Sequence, residues 1–351
     1  MSHPSKSLIE KLLSLQESEN FLEILLSDYL KRFIKIADVS FGSFFIFKKE
    51  KDVFSLAAMK KIGDYEKKEK ILKRMEEEGK KGIVPHVLQT MKPYITNDCE
   101  KDPFHIPFRK EKILSEMVIP FDIDSERIGI IVLTSMRKNH FNESNLKRIE
   151  PSINDFLYEF LSLEFYRFLK EKDKEVYLMP YDSYLKEIFP QIRKISSSDE
   201  PVLIEGLTGS GKEVISRFIH FLSKRKDKPF YPINCSSFPS EDLIQSELFG
   251  HEKGSFTGAW RKYQGKIKSA DGGTLFLDEI QSSSLRFQYS LLRLIERGEI
   301  HPLGSERIEK SDVRIISACS SSPEKLLDEG KLLPPWECTP CIGQKNKTLS
   351  M

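Results

Sequence analysis

The sequence predicts an α+β domain followed by an incomplete α/β domain with a parallel sheet. Three observations predict it. The chain has 351 residues, and at roughly 150 residues per domain that length favours two domains. Five short β-rich runs lie between helical stretches before residue 172. Beyond residue 200 an apolar strand enters a glycine-rich loop and then an amphipathic helix, the order on which parallel α/β sheets are built.

Composition narrows the class. Lys+Arg 55 against Asp+Glu 53 leaves a net charge of +2, too balanced for electrostatic nucleic-acid binding by the whole chain. A hydrophobic fraction of 39% with 31% charged residues supports packed cores rather than disorder. Apolar stretches such as Ile128–Leu133 fall far short of the ~20 residues that span a bilayer. The first 16 residues carry no signal-peptide apolar block. Five cysteines do not make a disulfide framework, so a cytoplasmic protein is expected.

The elements follow in order. Residues 7–38 place Leu22, Ile24, Leu25, Tyr29 and Phe33 at helical spacing. Gly42–Phe47 and Val53–Met59 read as strands across the polar turn Lys48–Asp52. Residues 63–81, dominated by Lys and Glu, read as a solvated helix. A short helix over Val84–Met91 precedes extended segments at Pro93–Asn97, Leu114–Phe121 and Ile128–Ser135. A helix over Glu143–Lys172, kinked or restarted at Pro151, closes the domain, residues 1–172. His86 and His105 read as surface or packing histidines, because no His/Cys/Asp spacing there makes a metal pattern. Residues 173–182 are a charged linker, 183–332 the α/β domain, and 333–351 a tail without periodicity. Cys338 and Cys341 have CxxC spacing, but without a second pair they do not read as a zinc site.

The chemistry is concentrated in the second domain. Val202-Leu203-Ile204 runs into Gly206-Leu207-Thr208-Gly209-Ser210-Gly211-Lys212-Glu213, a strand–loop–helix that suits phosphate binding. Glycines let backbone N–H groups turn inward around phosphate oxygens, and the helix N-terminus adds positive potential. Lys212 supplies a point charge, while Glu213 stands where the strict pattern has Ser or Thr. Sixty-six residues beyond Lys212, Gly272-Gly273-Thr274-Leu275-Phe276-Leu277-Asp278-Glu279 is an apolar strand ending in two acids. Asp278 is a candidate for holding Mg²⁺, and Glu279 for orienting or deprotonating an attacking water.

The run Ser246–Ala259, with its loop Gly254-Ser255-Phe256-Thr257-Gly258-Ala259, resembles the AAA+ activators of sigma-54 RNA polymerase. Their loop reads GAFTGA, with Ala where Ser255 stands. They also carry Glu after the loop lysine, as at Glu213. Asn234-Cys235, Leu291-Leu292-Arg293, Gly298-Glu299 and Asp312–Ile316 continue the resemblance over about residues 178–332. It implies ATP and Mg²⁺ as cofactors, held by the loop residues 206–213, with Asp278 and Glu279 catalytic. Asn234 would be the switch that couples Glu279 to the nucleotide. It also implies that Phe256 and Thr257 contact sigma-54 RNA polymerase, and that the active form is a hexamer. The first domain resembles a GAF-type sensory domain, through Gly42–Phe47, Gly82–Thr90, Pro93–Asp98, Pro120 and Arg127–Leu133. Such domains bind cyclic nucleotides, metabolites or metal centres, or bind nothing.

Departures qualify what the resemblance implies. Leu207 stands where the family usually has Glu, and Ser320 lies where it has a longer polar sensor. The family continues with arginine fingers, a lid and usually a DNA-binding domain, whereas the match stops near residue 332. The expectation is weak ATP binding without concentration-dependent turnover. The alternative is a non-enzymatic ligand-sensing or regulatory protein whose incomplete P-loop half binds nucleotide or partners.

Overall fold

The computed structural model describes residues 21–50, 53–62, 82–106, 112–124, 126–172, 183–256, 258–334 and 341–343. The chain divides into two units, Met1–Glu171 and Lys172–Met351. The expected helix over 63–81 and linker over 173–182 lie outside the described residues, as does the start of the N-terminal helix.

In the first unit, helix α1 (Phe21–Ala37) buries Leu25, Leu26, Tyr29, Leu30, Phe33 and Ala37 on one stripe. Strands β1 (Phe41–Glu50) and β2 (Val53–Ile62) form a hairpin. Helix α2 (Ile83–Thr90) and strands β3 (Tyr94–Thr96), β4 (Ser115–Asp122) and β5 (Arg127–Ser135) follow. The antiparallel sheet has the order β2-β1-β5-β4-β3. One face of β1 presents Phe44 to an aromatic cluster, with Phe33, Phe121 and Phe156 around it. Phe45 and Phe47, one pleat over, pack on the other face with Val118, Ile130, Ile83, Val87 and Leu88. Apolar packing on both faces explains why β5 is an unbroken apolar run rather than an alternating one. At the β4–β5 pair Phe121↔Gly129, the Phe121 ring lies where a Cβ on residue 129 would stand, so the glycine is required by close approach.

Helix α3 (Glu143–Glu171) runs through Pro151 without a restart. A proline removes one backbone donor and crowds the preceding turn. Buried Ile149, Ser152, Ile153 and Phe156 on either side of it hold the helix together.

The His105 side chain is 9% exposed. The chain after β3 folds back, with the Asp102 carboxylate accepting from the Tyr94 hydroxyl at 2.8 Å and the Phe104 amide at 2.9 Å. That turn sets His105 against Glu116 of β4, 3.4 Å apart, beside the buried Cys99. His86, by contrast, stacks on Phe104 and meets Tyr94 edge-on, as a packing histidine does.

The second unit opens with helix α4 (Ser183–Ser196), then strand β6 (Val202–Glu205) and helix α5 (Lys212–Phe221). Strand β7 (Phe230–Asn234), helices α6 (Glu241–Phe249) and α7 (Lys266–Ser269) and strand β8 (Thr274–Asp278) come next. Helix α8 (Leu285–Arg297), the short hairpin β9 (Glu299–Ile300) and β10 (Glu309–Lys310), strand β11 (Arg314–Cys319) and helix α9 (Pro323–Asp328) complete the main body. With Cys341–Gly343 as β12, all pairs in the main sheet are parallel, in the order β12-β6-β11-β8-β7. Burial of β6, β8 and β11 follows from helices on a parallel sheet.

Packing of the second unit continues past residue 332. Leu332 and Leu333 are buried in the core, and the Leu333 amide donates to Gln288 Oε1 at 3.1 Å. Cys341–Gly343 forms β12, a three-residue edge strand parallel to β6. An edge strand pairs through backbone groups alone, so it needs no alternating pattern.

Candidate functional site

The site lies beyond the carboxyl ends of β6 and β8, where open parallel sheets place ligands. β6 delivers the chain into residues 206–211, and the Gly206 amide donates to Cys319 O of β11 at 3.1 Å. Gly209 and Gly211 take φ of 79° and 76°, left-handed values that side chains resist. Gly211 caps α5, so the first helical amides face the loop. Lys212 is only 5% exposed, and its ammonium donates to Gly206 O at 3.0 Å and Leu207 O at 3.2 Å. The Ser210 hydroxyl is buried without a hydrogen-bond partner. Thr208, Gly209 and Leu207 are exposed. Glu213 is turned away from the loop, with its carboxylate accepting from Arg217 Nε at 3.0 Å and Nη2 at 2.7 Å.

Register carries the acids to the same end of the sheet. Asn234, the last residue of β7, pairs with Asp278, the last of β8. Burial pushes the Asp278 carboxyl up, and Lys212 pulls it back. Glu279 follows in the left-handed region at φ 55°, a conformation that costs of order 1 kcal/mol or more and concentrates at functional sites. Its carboxylate lies 3.9 Å from the Lys212 ammonium.

The structure thus brings together Gly206, Ser210, Gly211, Lys212, Asp278 and Glu279. Asn234 arrives at the same edge, but its side-chain oxygen accepts from the Ser236 amide at 2.9 Å and the Ser236 hydroxyl at 2.7 Å. Gln281, which the sequence reading passed over, holds Glu279 instead. Its amide nitrogen donates to Glu279 Oε2 and, at 2.7 Å, to Ser320 Oγ at the end of β11. Ser320 is therefore tied to Glu279 through one side chain despite its short reach.

The loop at 254–259 is built on a tight neck. A Cβ at Gly250 would meet Tyr263 O at 2.4 Å, and one at Gly265 would meet Leu248 O at 2.4 Å. Gly254 and Gly258, at φ 84° and 102°, turn the tip, with open space around both. Phe256 is not the exposed tip residue that the glycines imply. It is half-buried, edge-on to His251 at 5.1 Å, and His251 is anchored by Ser246 Oγ at 2.7 Å. Thr257 lies outside the described residues. Trp260, just beyond the loop, is 86% exposed. Ser255 packs against Gly304, where an added Cβ would come within 2.6 Å of the Ser255 Cβ.

A parallel sheet with a glycine-turned phosphate loop, a buried loop lysine and two acids at the end of the next strand but one defines a P-loop NTPase domain. Residues 178–334 match the sigma-54 interaction domain, and residues 19–155 match the GAF domain. The chain thus carries a GAF domain and a sigma-54 interaction domain. The Nif-specific regulatory protein of Herbaspirillum seropedicae is 33% identical over 273 residues, 71% of this chain and 50% of that protein. The DNA-binding transcriptional activator HyfR of Escherichia coli K12 is 33% identical over 276 residues, 72% of this chain and 41% of that protein. The Nif-specific regulatory protein of Azospirillum lipoferum is 46% identical over 145 residues, 41% of this chain and 23% of that protein. The chain spans half the length of these relatives or less. The match to the sigma-54 interaction domain ends at residue 334, one residue beyond the buried Leu332–Leu333 pair. Among the described residues, no helix is long and apolar enough to cross a membrane.

Proposed function

We propose that the chain is the sensory and nucleotide-binding part of a sigma-54-dependent transcriptional regulator, with its GAF domain governing a P-loop domain that engages sigma-54 RNA polymerase. The observation that carries the nucleotide reading is the phosphate loop. Two left-handed glycines, a helix N-terminus, a buried ammonium and an unpartnered buried Ser210 hydroxyl all belong to the one short segment 206–213. Bound ATP would accept backbone N–H groups of residues 208–213, with Lys212 exchanging loop carbonyls for the outer phosphates. Asp278 would hold Mg²⁺, and the metal would neutralise phosphate charge there. Glu279, hydrogen-bonded to Gln281, would orient water near the terminal phosphate.

The partner reading rests on the loop at 254–259. Two glycines with open space around them let its tip move, so Phe256 can leave His251 and, with Thr257, meet a sigma factor.

Binding of a fluorescent ATP analogue with Mg²⁺ tests the first reading. Lys212→Ala removes a charged hydrogen-bonding partner worth about 1.5–3 kcal/mol, so affinity falls roughly 10–150-fold. Equal affinity in the variant would refute it. For the partner loop, Thr257→Ala leaves that affinity unchanged and abolishes capture of sigma-54 by the nucleotide-loaded chain. Undiminished capture counts against the loop.

A further inference from the structure

We infer that the GAF domain carries a transition-metal site made by Cys99 Sγ, His105 and Glu116. The donor atoms of the three residues all lie within 4.8 Å of one another. They come from three places in the fold: the turn after β3, the loop that follows it, and the start of β4. His105 Nδ1 and Glu116 Oε2 are 3.4 Å apart. With metal bonds of about 2.0–2.1 Å to nitrogen and oxygen and about 2.3 Å to sulfur, tetrahedral coordination sets donors about 3.3–3.8 Å apart. The imidazole and carboxylate are already at that spacing, and closing the thiol onto them takes a small side-chain adjustment.

An ordinary His–Glu ion pair would account for two of these groups but not for the third. Cys99 is 3% exposed, and the side chains of His105 and Glu116 are 9% and 12% exposed. A buried carboxylate beside a thiol is costly unless a cation joins them. Burial pushes the Cys99 thiol up, and the carboxylates of Glu116, Asp102 and Asp98 push it further.

The surroundings fix the donors in place. The Cys99 amide donates to Leu114 O at 3.0 Å, which ties its turn to the strand bearing Glu116. Asp102, held by Tyr94 and the Phe104 amide, sets the turn that presents His105. Glu116 pairs in register with Thr96 of β3 and Thr134 of β5, so its backbone is held on both sides. A sulfur–nitrogen–oxygen set with three protein ligands leaves a fourth position open, which suits Zn²⁺ or Fe²⁺ rather than Mg²⁺ or Ca²⁺. An open position facing a small ligand is what a sensory metal needs. The site stands on the first unit alone, independently of any nucleotide in the second.

Co²⁺ titration of the reduced, chelator-stripped full chain tests the site, because a cobalt–thiolate bond gives a charge-transfer band. About one equivalent of Co²⁺ should develop that band, and Zn²⁺ should displace it. The Cys338→Ser/Cys341→Ser variant should keep the band, and Cys99→Ser should lose it. Glu116→Gln preserves shape and thiol, so it should keep a folded domain while weakening Co²⁺ binding on the order of 10–100-fold. Absence of the band in the unaltered chain overturns the inference. So does a band that survives Cys99→Ser, a band lost in the Cys338/Cys341 variant, or Co²⁺ affinity unmoved by Glu116→Gln.

Discussion

Arg314→Leu will destabilise the second unit by about 2–4 kcal/mol. Arg314 opens β11 and is among the largest fully buried side chains. Its guanidinium donates to Ile195 O at 2.7 Å, Ser196 O at 3.4 Å and Glu200 O at 3.3 Å. Two of these are carbonyls of the last turn of α4, which have no partner within the helix. Burial lowers the Arg314 pKa to about 10, so the group still carries its charge at neutral pH. Leucine would take this donor from the Ser196 and Glu200 carbonyls, at about 1–3 kcal/mol each, while Ile195 O keeps the Ser198 amide at 3.2 Å, and would add a void. Relief of a buried charge works the other way, which keeps the sum below the about 3–5 kcal/mol typical of an ion stranded by loss of its partner. Hydrogen exchange of the β6 and β11 amides measures the difference. Unchanged protection would mean that the α4 carbonyls find other donors. The same geometry explains why Arg314 has no part in the nucleotide site: it lies at the opposite, amino-terminal end of β11 from Ser320.

The phosphate loop and the acidic strand end were legible because their chemistry is contiguous. Glycines, lysine and helix must follow one another for backbone amides to converge, and β8 must end in its acids to present them. The strands of the first domain were legible along the chain for a similar reason, since each run is bounded by turn residues. What was not legible depends on juxtaposition. Gln281 reaches both Glu279 and Ser320 only because β8 and β11 are neighbours. Cys99, His105 and Glu116 are separated by unrelated residues, and a turn clamped by Asp102 is needed to gather them. Phe256 has the glycines of an exposed tip around it, but the fold of the neck brings His251 beneath it, and no local pattern encodes that cover.

The largest single loss of stability in the first unit is expected from Phe156→Ala. Phe156 of α3 is fully buried, with ring centroids 5.4 Å from Tyr29, 4.8 Å from Phe44, 6.0 Å from Phe121 and 5.6 Å from Phe160. It thus joins α1, β1 and β4 in one cluster. Truncation removes the transfer free energy of the ring and leaves a void that four rigid aromatic neighbours cannot fill by rotamer change, so a cost of about 3–5 kcal/mol applies. Each edge-to-face or stacked pair adds about 0.5–1.5 kcal/mol beyond area, which favours the upper half of that range. For a unit of this size about 1 kcal/mol moves the midpoint by about 2–4 °C, so the calorimetric transition of the first unit should fall by about 10 °C or more. Phe156→Leu retains most of the volume and should cost less than half as much. If alanine and leucine cost the same, the loss comes from the aromatic pairs rather than the void, and the packing argument fails. If alanine costs less than about 1 kcal/mol, α3 does not bind the sheet through this ring at all.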